Sequence, residues 1–144
     1  MTINHTNEDG SYVKMYLLLP MILTAFERDK LVAKEAFKTS RPYIALIDAA
    51  IKKVETDLKE VRRKFRILGI KVYEEKRTEL GIQASYLCRG YHHDFNMLWS
   101  VIAAESSVLM EKYLGIDIRM YIDPTVPGSH LNSYSLPSEM KQDH

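Results

Sequence analysis

Cys88, His92, His93 and Asp94 form the one cluster in the sequence whose donor atoms suit metal binding or a cysteine nucleophile. A Cys-x3-His-His run at a strand-to-helix corner could present a thiolate and an imidazole together, as a metal-dependent hydrolase would need. A closed zinc site takes four ligands, however, and the remaining histidines, His5, His130 and His144, fall in the terminal stretches of the chain. Lone cysteines are mostly buried and inert. The expectation is therefore a small apolar Cys88 on an inner strand face, with His92 and His93 as polar residues near a helix start and no metal or cofactor assigned.

A second kind of chemistry is electrostatic. Between Lys59 and Lys71 six basic residues face a single acidic one, Glu60. Lys59, Arg62, Arg63, Arg66 and Lys71 could neutralise several phosphates and give salt-dependent nucleic-acid binding, extended by Lys76 and Arg77. The competing reading is the solvated face of a helix whose C-terminal end favours cations. Tyr73, Tyr86, Tyr91 and Trp99 could stack bases, although aromatic pairs across strands more often serve packing. Glu74, Glu75 and Glu79 make an acidic turn with nothing to orient them for acid-base work. The sequence has no glycine-rich phosphate loop, His-Glu-x-x-His motif, paired-cysteine spacing or nucleophile elbow. An enzyme is not expected.

The elements that must position these residues follow from periodicity. Over residues 12–37, Leu19, Ile22, Phe26, Ala33 and Phe37 recur at helical steps with charges between them. Pro20 suits a first turn, so this helix is expected to be regular only from Pro20 onward. Ser40 and Pro42 announce a second helix with a capping hydroxyl. Its apolar positions, Ile44, Ile47, Ile51, Val54, Leu58, Val61, Phe65 and Leu68, alternate steps of three and four, the seam of left-handed helix packing. The short connector folds the first helix back antiparallel on that seam, and Gly69 ends the second as a left-handed cap.

After Gly69 the period changes to two. Residues 70–73 and 82–88 read as a β-hairpin around a charged turn, with Ile82, Ala84, Tyr86 and Cys88 on one face. Gly90 breaks the second strand, Asp94 caps, and a long apolar helix is expected over residues 95–114, stopped by Gly115. With Glu105 its one charge before the last turn, this helix should be buried on nearly all sides. Either the domain covers it or its second stripe, Met97, Val101, Ala104 and Val108, pairs with a symmetry mate. Clean alternation over residues 116–122 predicts a short third strand.

Length and composition place these elements in one α+β domain over residues 12–122, with residues 1–11 and 123–144 as flexible tails. Twenty basic and 19 acidic residues give a net charge of +1, so no overall field draws the chain to nucleic acid or an anionic membrane. One cysteine, no cleavable leader and an apolar run of about a dozen residues, against the about 20 of a spanning helix, predict a cytoplasmic protein without a membrane segment.

The run Tyr16-Leu17-Leu18-Leu19-Pro20-Met21-Ile22-Leu23-Thr24, with Glu27-Arg28-Asp29 and Arg41-Pro42-Tyr43, resembles the opening of small uncharacterised proteins of Gram-positive bacteria and their temperate phages. The resemblance spans residues 14–115 and implies a mobile-element accessory or regulatory protein. Joined to the residue-level reading, it predicts a non-enzymatic protein acting through protein contacts, as a homodimer through the third helix and the seam of the second. A nucleic-acid-binding regulator and the hydrolase at Cys88, His92 and His93 are the alternatives.

Overall fold

The computed structural model describes residues 7–121 and Tyr134. It is an α+β fold of three helices and one antiparallel three-stranded sheet. α1 (Asn7–Ala36) and α2 (Arg41–Leu68) form the expected antiparallel hairpin, with Ile51, Val54, Leu58, Val61 and Phe65 of the α2 seam buried. Ser40 sits at the N-cap without a side-chain cap bond; its carbonyl accepts from the Ile44 N–H instead. Gly69 closes α2 in the left-handed conformation, donating its N–H to the Phe65 carbonyl.

α1 departs from expectation at its start. It begins inside the stretch read as a frayed tail and runs through Gly10 and Pro20 without a break. The cause is tertiary: Tyr12, Val13, Met15, Leu17, Leu18 and Leu19 are all buried. Burying each large apolar side chain is worth about 1.5–3 kcal/mol, which together outweighs the roughly 3 kcal/mol of an interior proline. The first half of α1, rather than the third helix, is thus the element surrounded by protein on nearly all sides.

β1 (Ile70–Arg77) pairs with β2 (Gly81–Cys88), so the hairpin is present and longer than expected: Glu74 to Arg77 are ladder residues. The register shifts at Tyr73, which forms a bulge. Thr78 closes the turn, its hydroxyl accepting from the N–H groups of Leu80 and Gly81.

The third strand is β3 (Tyr91–Leu98), antiparallel to β2, which corrects two expectations. Residues 95–98 are strand, and the helix α3 (Trp99–Tyr113) is correspondingly short. Arg89 and Gly90 both have positive φ, at 50° and 87°, so they form the two-residue turn of a tight hairpin instead of a strand-to-helix corner. Asp94 caps nothing; it accepts a 2.8 Å hydrogen bond from the Ser85 hydroxyl across the ladder. Second, residues 116–121 hold no strand. Asp117 accepts the Arg119 N–H at 3.0 Å, and a 3-10 turn follows at Arg119–Tyr121, a local side-chain bond that competes with pairing. Ile122 and the tail over 123–144 lie outside the described residues, Tyr134 excepted; its ring sits 5.5 Å from Lys14 Nζ.

α3 buries one face, Ile102, Leu109 and Tyr113, and is tied to both long helices. Lys14 pairs with Glu105 at 2.9 Å, and the Tyr113 hydroxyl donates to Asp57 at 2.6 Å. The core lies between the α1–α2 pair, α3 and the inner face of the sheet. Among the described residues no helix is long and apolar enough to cross a membrane.

Candidate functional site

The pleat of β3 decides the fate of the Cys88 cluster. Successive strand residues point to opposite faces. His92 lies on the exposed face, its Nδ1 3.0 Å from the Tyr73 hydroxyl, while His93 turns inward and stacks on Tyr86 with ring centroids 5.4 Å apart. The two imidazoles do not converge. Among the described residues no group of three His, Cys, Asp or Glu side chains is placed to hold a metal ion.

Cys88 is buried, with Sγ 3.6 Å from the carboxylate of Asp9. Burial pushes its thiol up, and the neighbouring Asp9 carboxylate adds to the rise. That is the opposite of what a nucleophilic thiolate needs. Burial also pushes the Tyr86 phenol up to about 12. Both groups stay protonated in the fold where the unfolded chain would ionise them. Stability should hold below the ordinary values of 9.0 and 10.0 and fall as pH rises from there toward about 12. Urea melts run from about pH 8 to 11 should show midpoints that drop with pH, and Tyr86→Phe should flatten the drop. A midpoint constant across that range would contradict this account of the inner face.

Asp9 itself is an unforeseen structural site. It is 1% exposed and receives the Arg89 guanidinium at 2.8 Å, while the other arm of Arg89 donates to the Leu68 carbonyl at 3.0 Å. One side chain therefore joins the start of α1, the end of α2 and the β2–β3 turn.

The basic residues remain exposed: Lys59, Arg62, Arg63 and Arg66 on α2, and Lys71 on the outer face of β1. Arg63 is neutralised by a two-point pairing with Glu60. Arg62 is set apart from the others, because it lines a cleft shared with Arg77. Of the four residues read as one interface stripe, Val101, Ala104 and Val108 keep three-four spacing along α3 and Met97 falls on β3. Met97 is a half-buried strand residue, Val108 is half-buried, and Val101 and Ala104 are exposed on α3.

The feature that sequence reasoning missed is the far half of the helical hairpin. At 1.5 Å per residue α1 is about 45 Å long, against about 27 Å for an eight-residue strand. Between residues 27 and 49 only Ala33 is buried. This arm exposes Leu31 and Val32 on α1, Phe37 in the connector, and Tyr43 and Leu46 on α2, each 46–64% exposed. Phe37 and Tyr43 meet edge-to-face at 5.0 Å, and Lys30 bridges to Asp48 at 2.8 Å across the two helices. A coarse signal was present in the sequence: Leu31, Val32 and Leu46 lie off the seam positions and so cannot all face the opposing helix.

No solved structure matches the chain. A Bacillus subtilis (strain 168) protein named "Uncharacterized protein YhjD" is 31% identical over 112 residues, covering 77% of this chain and 93% of that protein. The match agrees with the resemblance, over residues 14–115, to small uncharacterised proteins of Gram-positive bacteria. The family model described as "YhjD protein" matches residues 4–118, which takes in the arm, the sheet and α3, and the chain belongs to that family.

Proposed function

We propose that the protein acts through protein–protein contacts, as a homodimer joined by the arm, in an accessory or regulatory role without chemistry of its own. The observation that carries this is the set of five large apolar side chains on a stretch where only Ala33 is buried. Their summed exposed area is on the order of 500 Å² per protomer, with the Phe37 and Tyr43 rings in contact. Two copies would bury on the order of 1,000 Å², where specific interfaces begin.

A second copy is the favoured occupant because the arm carries both signs of charge interspersed. Glu27, Asp29, Glu35 and Asp48 alternate with Arg28, Lys30, Lys34, Lys38 and Arg41. A partner of one sign gains nothing from that mixture, whereas a two-fold pairing can set each patch against its complement.

Light scattering over a concentration series tests the reading. The wild type should be dimeric, and Leu31→Glu with Leu46→Glu should give a folded monomer, since both side chains are exposed. Val101→Glu, on α3, should leave the dimer intact. A wild type that stays monomeric at hundreds of micromolar, or a dimer lost in Val101→Glu and kept in the arm variant, would overturn it.

A further inference from the structure

A cleft of about 420 Å³ opens between α1, α2 and β1, lined by Tyr16, Leu17, Pro20, Met21, Thr24, Arg62, Glu75 and Arg77. Its lining shares no residue with the arm, and its volume falls in the range of small-molecule sites. Three independent features of the backbone and side chains converge on it.

The bulge at Tyr73 is the first. Ile70 and Val72 face inward opposite Cys88 and Tyr86; one inserted residue then reverses the parity. Glu75 and Arg77 stand opposite the buried Ala84 and Ile82, while Glu74 and Lys76 turn outward, where they approach each other at 3.7 Å. Without the bulge Glu74 and Lys76 would take the inward positions. Bulges commonly re-aim side chains in this way beside functional sites.

The second is Pro20. Having no N–H, it deprives the Tyr16 carbonyl of its i+4 donor in the middle of a helix, and Tyr16 and the exposed Pro20 both line the cleft. The Thr24 hydroxyl back-bonds to the Pro20 carbonyl at 3.0 Å, the kind of bond that tends to bend a helix. The third is charge. Arg62 and Arg77 come from different elements, and neither guanidinium makes a hydrogen bond or ion pair with another described residue, although Glu75 shares the cleft.

We propose that this cleft binds a small organic anion whose carboxylate or phosphate is held by Arg62 and Arg77 and whose body carries a hydrogen-bond donor for the Tyr16 carbonyl and Glu75. Two guanidiniums supply forked donors suited to either anionic group. With Glu75 ionised the site carries one excess positive charge, so a single negative charge balances it. Leu17, Pro20 and Met21 provide an apolar wall for the carbon skeleton.

Calorimetry on the full chain tests this with glutamate, inorganic phosphate, adenosine monophosphate and a short single-stranded oligonucleotide as probes. Glutamate or adenosine monophosphate, which carry donors, should bind one per chain more tightly than inorganic phosphate. Arg62→Gln and Arg77→Gln should each weaken binding about 10- to 100-fold. Neither should change the oligomeric state, which separates this result from the fate of the arm. Pro20→Ala, which returns an N–H to the Tyr16 carbonyl, should weaken binding about fivefold while raising the melting temperature. The proposal is overturned if no small probe binds up to about 10 mM, or if binding survives both arginine changes. It is also overturned if the oligonucleotide alone binds, which would make the two arginines part of a nucleic-acid face.

Discussion

Arg89→Ala should destabilise the fold by about 3 kcal/mol, the low end of what breaking a buried pair costs, because a third of the arginine side chain reaches solvent. The loss has two sources. Asp9, 1% exposed, would lose the 2.8 Å pairing to the Arg89 guanidinium. The Leu68 carbonyl, one of the orphan acceptors at the end of α2, would lose its donor. The Arg89 backbone N–H would still reach the Gly69 carbonyl at 2.9 Å, so the turn itself survives. Arg89 also sits at φ 50°, a left-handed conformation that costs a side-chain-bearing residue roughly 1–2 kcal/mol. Arg89→Gly should therefore cost about 1 kcal/mol less than Arg89→Ala. Urea unfolding of the two variants, with Asp9→Asn to close a double-mutant cycle, separates strain from pairing. A loss under about 1 kcal/mol for Arg89→Ala would show the bridge to be idle.

Gly81→Ala should be at least as damaging, by a different route. A Cβ at position 81 would overlap the Met97 carbonyl oxygen and lie 2.8 Å from its carbon and 2.9 Å from Leu98 Cα. All three are backbone atoms of β3, opposite Gly81 in the ladder, so no side chain can swing aside. The central strand would have to part from its neighbour where the Trp99 N–H also reaches the Leu80 carbonyl at 3.1 Å. We expect a cost of about 3 kcal/mol or more. Gly90→Ala is the informative contrast: a Cβ there meets nothing within 4 Å, and the expected penalty is only that of its φ of 87°. Thermal melts in which Gly81→Ala matches the wild type would refute the close approach of β2 and β3.

What could be read from the sequence was whatever depends on local periodicity. The three-four spacing from Ile44 to Leu68 specified α2 and its seam, and Gly69 its end, because those signals need no partner to be legible. β3 was readable in principle: His93, Phe95 and Met97 turn inward while Asp94, Asn96 and Leu98 turn out. That alternation runs directly into the apolar start of α3, and the Arg89-Gly90 turn lacks the Asn or Asp that usually announces such a hairpin. Pro20 misled for the opposite reason, since burial of its neighbours overrode its preference. The arm and the cleft depend on placement. Nothing local tells that Ala33 alone is buried between residues 27 and 49, or that one inserted residue at Tyr73 turns Arg77 inward.

The latch between Asp9 and Arg89 also bears on the order of folding. Its partners are 80 residues apart, so it closes one of the longest loops in the fold. The α1–α2 hairpin draws on near neighbours and can form while the chain is still being made. The first turns of α1 cannot be sealed at Asp9 until the β2–β3 turn exists, so the start of the chain is latched only after the sheet that follows it.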